Sequence, residues 1–230
     1  MRAPPEEVAS LLEDVARVRG IGERIGAISR RFLGRPYVTE PLVGAPSEPE
    51  QLVTRLDAFD CVTFVESVLA LASARAPAEF ERELVQIRYH RGRVEWLHRN
   101  HYTSDWFERN VEAGRLAPVL GDQWVGVPRR LSVLAGYPVR DRTVYWLPFE
   151  RLDALDRAGC TGDVVGFGST RSDLDTSHVG LLVRGEAGLH VRHASRSAGM
   201  VVEATLSEYL ARNEPPGLLV ARPVDRGEVT

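Results

Sequence analysis

This 230-residue chain is predicted to adopt an α+β fold. Two observations predict it: residues 6–32 and 61–87 carry apolar side chains at helical spacing, and after Gly162 the pattern changes to short β runs separated by turns. A third sharpens it. Cys61 follows a turn-forming aspartate, Asp60, at the start of an amphipathic helix, where unpaired backbone N–H groups and a partial positive charge favour a thiolate.

Val8, Leu11, Leu12, Val15 and Val18 predict a helix over 6–19. A second, bearing Ile25, Ile28 and Phe32, follows the Gly20-Ile21-Gly22 break. Residues 1–35 therefore read as a helical N-terminal extension packed on the same core as a domain spanning 36–230, one domain overall. Leu33 to Val38 and the Pro- and Glu-rich stretch 41–50 read as loop. Cys61, Phe64, Val65, Val68, Leu69 and Ala72 mark the buried face of the cysteine helix, which ends near Ala76-Pro77. Phe80, Leu84 and Ile87 mark the next helix, and the aromatic region from Tyr89 to Trp146 has no clear period. Strands are expected at 163–167, 178–183, 189–193, 200–202 and 218–221. Thr205-Leu206-Ser207-Glu208 forms a capping box that starts a final helix.

The formal charge of −3 gives no excess of positive charge to attract nucleic acid or anionic lipid. No apolar run approaches the roughly 20 residues that cross a bilayer, so no membrane insertion is expected. The segment Met1 to Glu7 lacks the apolar core of a secretory signal. Either export is not intended or a leader has been removed. Cys61 and Cys160 are too far apart to suggest a zinc knuckle or a disulfide framework, and Cys160 reads as a structural thiol.

The turn Gly185-Glu186-Ala187-Gly188 should fold two histidine-bearing strands into a hairpin, closed either by Arg184 with Leu189 around a four-residue loop or by Gly185 with Gly188 around a two-residue loop, in the same register. In that register Gly180 faces His193 and His178 faces Ser195, so the two histidines lie diagonally on one face, roughly 7–8 Å apart at Cα. His178 can then take the Cys61 proton while His193 orients it, with Gly180 leaving room beside the pair. Each of these residues alone reads more readily as structural; the shared face and the capped cysteine together favour a Cys-His-His hydrolase. A zinc site built from the same three residues is a rival, and His98-Arg99-Asn100-His101 offers half a metal site without a third ligand.

Pro36-Tyr37, Asp60-Cys61-x-x-Phe64-Val65, Gly162-Asp163-Val164-Val165, Ser177-His178-Val179-Gly180 and His193-Ala194-Ser195 resemble, in that order, the NlpC-type papain-like cell-wall cysteine peptidases. Phe59 to Glu66 together with His101-Tyr102-Thr103-Ser104-Asp105-Trp106 is similar to the N-acetylmuramoyl-L-alanine amidase-like branch, over roughly residues 30–222. The resemblance implies a papain-like fold, with the catalytic cysteine helix packed on a C-terminal antiparallel sheet. It makes Cys61 the nucleophile, His178 the base and His193 the orienting member. Tyr37 would help with the oxyanion or the substrate backbone, and His101, Tyr102, Asp105 and Trp106 would shape the substrate cleft. It also implies a metal-independent, cofactor-free hydrolase acting on peptidoglycan fragments or muropeptides. The bond cut would join the muramoyl lactyl group to L-alanine; cleavage between D-glutamate and the diamino acid, or a silent binding module, are the alternatives. Family members act in the cell envelope or periplasm, while the missing signal leaves a removed leader, a cytoplasmic role in recycling wall fragments, or delivery by another route.

Overall fold

Proline and glycine set the first helix boundaries. The computed structural model describes residues 1–225. Pro5, whose missing N–H costs nothing at a helix start, opens α1 (Pro5–Asp14). The helix stops short of the expected residue 19, and Val15 and Val18 continue in turns. Gly20, at φ 80°, takes a conformation other residues rarely adopt and begins α2 (Ile21–Arg31). The stretch read as loop instead forms a small hairpin, β1 (Val43–Ala45) and β2 (Glu48–Gln51). Its strands carry no apolar alternation, so nothing in their pattern announced them.

α3 (Cys61–Ser73) does not keep the single buried face expected of an amphipathic helix: Thr63 through Ala72 are all buried, because the sheet covers one side and the other helices the rest, and Glu66 is accommodated by its ion pair to Arg88. It is followed by α4 (Pro77–Arg88), α5 (Thr103–Glu112), β3 (Leu116–Pro118), β4 (Val125–Leu131), β5 (Arg140–Trp146) and α6 (Leu152–Ala158). Then come β6 (Val164–Gly168), β7 (Thr176–Gly185), β8 (Gly188–Ser195), β9 (Met200–Thr205), α7 (Leu206–Asn213) and β10 (Leu218–Pro223). Each of the five expected C-terminal strands is present, within a few residues of its expected ends.

The main sheet has the order β3-β10-β6-β7-β8-β9 and is antiparallel throughout. Side chains alternate across it. Val164, Val179, Leu181, Ala194 and Leu219 face a core shared with α1, α2, α3 and α4. Val165, Phe167, Leu182, Val191 and Val220 face a second core with Leu155 of α6 and Leu206 of α7. Burial on both faces explains why β6 and β10 are almost continuously apolar despite antiparallel pairing. The result is a mixed α/β arrangement of helices on an antiparallel sheet.

Two contacts dock the N-terminal helices. A Cβ on Gly162 would lie 2.6 Å from the Cα of Gly22, so two bare backbones meet where α2 passes the start of β6. Buried Arg192 of β8 donates to the Gly26 carbonyl at 2.8 Å and to Ser29 Oγ at 2.6 Å, and also holds Glu203 of β9. Beneath α3, Arg88 and Glu66 form an ion pair at 2.6 Å with both side chains 2% exposed, and Arg88 also donates to the Val53 carbonyl at 2.7 Å.

Candidate active site

The first turn of α3 is fixed by a reciprocal cap. Asp60 Oδ1 accepts from the Thr63 N–H at 2.7 Å, and Thr63 Oγ1 accepts from the Asp60 N–H at 3.0 Å. Cys61 is thus the first helical residue, and it is partly exposed. Its thiol departs from expectation. Burial, and next the Asp60 carboxylate, push it up to about 12, against the downward pull of backbone N–H groups at Val179, Val62 and Cys61. Loss of hydration disfavours a thiolate by more than the helix terminus favours it.

The hairpin of β7 and β8 has the expected register, with Gly185 opposite Gly188, Arg184 opposite Leu189 and the ladder continuing to Leu181 opposite Arg192. Carried on, it brings both histidines to the face that also bears Leu182 and Val191. His178 Nε2 lies 2.8 Å from His193 Nδ1, with the rings edge to face at 4.7 Å. A Cβ on Gly180 would stand 3.2 Å from His193 Cβ and 2.8 Å from Val191 Cγ2, so a bare backbone there gives His193 its place. Burial, then His193, brings His178 down to about 3, and burial brings His193 down to about 4 against a backbone interaction with Ala194. Both imidazoles are neutral at pH 7.

Cys61 and the dyad share two neighbours. Val179, whose backbone acts on the thiol, is adjacent to His178 in β7. Tyr209 of α7 lies against His178, ring centroids 5.9 Å apart, and meets the edge of His193 at 5.1 Å; burial and then a Cys61 charge raise its phenol. Phe167, paired with His178 across β6 and β7, packs on Tyr209 at 4.3 Å. Tyr37 is joined to the chain before α3 by its bridge to Phe59, and burial followed by Cys61 raises its phenol too. Sequence reasoning missed Tyr209. Its signal was the Thr205 cap, which fixes Tyr209 one turn into α7, on the side that carries Leu206 and Leu210 to the sheet.

A cleft of about 880 Å³ opens over the dyad, lined by His178, His193, Phe167, Tyr209 and the turn after β8; Cys61 and Tyr37 lie outside that lining. His101, Tyr102, Asp105 and Trp106 are not brought to it. His101 Nε2 is 2.7 Å from the Trp96 carbonyl, its ring lies between Trp96 and Tyr137, and burial lowers it to about 4. Tyr102 is buried beneath Arg140, and Asp105 is buried and ion-paired to Arg140 and Arg142 of β5. Trp106 packs on Phe107 and, with His101, borders a cavity of about 20 Å³ on the inner side of α3. This block joins α5 to β5 and to the underside of the cysteine helix. Among the described residues, no group of three His, Cys, Asp or Glu side chains is arranged to hold a metal ion. Cys160 is exposed.

Several solved structures are similar over nearly the whole chain. An N-acetylmuramoyl-L-alanine amidase from Bacteroides uniformis is 26% identical with a TM-score of 0.76, covering 89% of this chain and 99% of its own. Protein LPG0564 from Legionella pneumophila shares the fold at 22% identity and a TM-score of 0.81, covering 96% and 94%. A Bacteroides fragilis protein named provisionally as a xylanase is 28% identical with a TM-score of 0.72, covering 84% and 98%. No curated protein matches the chain. The profile of one family matches residues 27–218, and the chain belongs to that family, the AmiA-like, N-acetylmuramoyl-L-alanine amidase-like enzymes.

Proposed function

We propose that this protein is a cysteine-dependent peptidoglycan amidase that cleaves between the muramoyl lactyl group and L-alanine. The observation that carries the reading is the 2.8 Å contact between His178 Nε2 and His193 Nδ1 beside a cysteine at a capped helix start. That contact occupies Nε2 of His178 and leaves Nδ1 to act on the thiol. For Nδ1 to accept a proton, His178 must carry its hydrogen on Nε2 and donate it to His193 Nδ1. His193 therefore orients the base, as the third member of a nucleophile–base–orienter triad does.

In this mechanism the Cys61 proton moves to His178 Nδ1 as sulfur attacks the lactyl carbonyl. The developing oxyanion is met by the backbone N–H of Cys61, with Tyr37 alongside. Collapse of the intermediate breaks the C–N bond, and the His178 imidazolium gives its proton to the departing L-alanine amine. The resulting thioester is hydrolysed by water that His178 deprotonates, restoring the thiol. With the thiol high and the imidazole low, the resting pair is neutral, and charge separates only as sulfur attacks. No step requires a metal. On this reading the chain is a single domain of papain-like, NlpC-type architecture, with the N-terminal helices packed on the same core.

A xylanase would need two carboxyl groups flanking the scissile bond. Among the described residues, the lining of the cleft has one carboxylate, Glu203, and Arg192 holds it. Incubation with purified disaccharide-tetrapeptide, with products identified by mass spectrometry, tests the amidase reading. Free tetrapeptide is expected. A disaccharide-dipeptide would instead make the enzyme a stem-peptide endopeptidase, and the absence of any product would favour a binding module.

A further inference from the structure

The turn that joins β8 to β9 carries an exposed arginine, Arg196, into the cleft three residues after His193. Its backbone is held from both sides. Ser195 Oγ accepts from the Ala198 N–H at 3.2 Å and lies 3.1 Å from Ser197 Oγ, while the Gly199 N–H donates to the Arg196 carbonyl at 3.3 Å. The Gly199 carbonyl in turn accepts from the Tyr37 N–H at 2.8 Å. The turn is therefore tied to the segment that carries Tyr37, the phenol standing beside Cys61.

The guanidinium itself has no hydrogen-bond or ion-pair partner among the described residues, although it acts electrostatically on Tyr37. Glu203, the one carboxylate of the cleft lining, is held by Arg192 Nε at 2.8 Å. Arg212, the other arginine of that lining, interacts with Glu208 four residues earlier on α7. A chain of net charge −3 thus keeps, in the cleft over the dyad, a guanidinium that no carboxylate among the described residues binds. A guanidinium matches a carboxylate in two parallel hydrogen bonds, which a neutral amide cannot reproduce.

We propose that Arg196 is a specificity determinant that binds a free carboxylate of the substrate, so that acidic stem peptides are cut in preference to their amidated forms. The inference rests on the peptidoglycan reading above. In a stem of L-alanine followed by γ-linked D-glutamate, the free α-carboxylate of glutamate lies on the order of 7 Å beyond the scissile bond, within the span of a cleft this size.

The test compares two disaccharide-tetrapeptides that differ only there, one with γ-linked D-glutamate and one with γ-linked D-isoglutamine at the second stem position. Wild type should show kcat/KM about tenfold or more higher for the acid, the scale of one charge-assisted contact. Arg196→Gln should bring the two within about threefold by raising KM for the acid, and Arg196→Lys should keep part of the preference. Equal cleavage of both substrates by wild type, or a preference that survives in Arg196→Gln, overturns the inference and leaves the amidase reading standing. If wild type cleaves neither, the amidase reading falls and takes this inference with it. The side chain is exposed and bonds to no other residue described, so an unchanged melting temperature for Arg196→Gln separates lost recognition from lost structure.

Discussion

His178 and His193 meet at 2.8 Å although they lie 15 residues apart on neighbouring strands, and the proposed mechanism gives them unequal tasks. In it His178 transfers the proton, while His193 only orients it. His178→Ala should lower kcat by about 10²–10⁴-fold. His193→Gln, whose amide oxygen can still accept from His178 Nε2, should lose less than His193→Ala. Steady-state kinetics of the three variants on disaccharide-tetrapeptide checks this; equal loss in both His193 variants would remove the orienting role.

The thiol makes a second prediction. With Cys61 at about 12 and His178 at about 3, the resting site holds a neutral thiol and a neutral imidazole. In a Cys160→Ser background, which removes the exposed thiol, alkylation by iodoacetamide should rise continuously from pH 6 to 9. A plateau of rapid alkylation reaching below pH 6 would reveal a preformed thiolate–imidazolium pair and refute the neutral resting state.

Glu66 and Arg88 are buried together under the cysteine helix. Removing one leaves the other charge unpaired, so Arg88→Met should cost about 3–5 kcal/mol, read by urea denaturation. The double variant Glu66→Met/Arg88→Met should recover part of that loss. A double variant destabilised by the sum of the two single changes would show that the pair is not coupled.

Acid should weaken the fold through histidines that stay neutral inside it. Burial lowers His101 from 6.5 to about 4, so the unfolded chain binds a proton there before the native state does. The site therefore costs nothing above about pH 6.5 and increasingly favours unfolding as pH falls towards 4. His178 and His193 act with the same sign. His101→Phe keeps an aromatic ring between Trp96 and Tyr137, and its stability should fall less steeply between pH 6.5 and 5, by up to about 1.4 kcal/mol per pH unit. Parallel slopes for variant and wild type would contradict the burial of a neutral His101.

What could be read from the sequence was what has a period or a cap. Leu181, Leu182 and Val183 meeting Leu189 and Val191 across a glycine-bounded turn specify a hairpin register, and with it the meeting of His178 and His193. Asp60 and Thr205 mark helix starts by chemistry local to four residues. The hairpin of β4 and β5 was not legible, because apolar and polar residues are mixed on its exposed side, Pro128 interrupts β4, and its paired residues lie 9 to 21 positions apart. Nor was the environment of His101, Tyr102 and Asp105. Their types suit a cleft, but ion pairs to Arg140 and Arg142 from a distant strand take Asp105 inside. The thiol was misread for a related reason: the helix terminus is visible in sequence, whereas the burial that outweighs it exists only once the sheet has closed over α3.

The most direct test of the account is the rate at which free tetrapeptide is released from disaccharide-tetrapeptide by wild type and by Cys61→Ala, each with and without a chelator. The account predicts release by wild type that the chelator leaves unchanged, and none above background from a folded Cys61→Ala. Release that persists in Cys61→Ala, or that the chelator abolishes in wild type, would contradict a thiol nucleophile at this site.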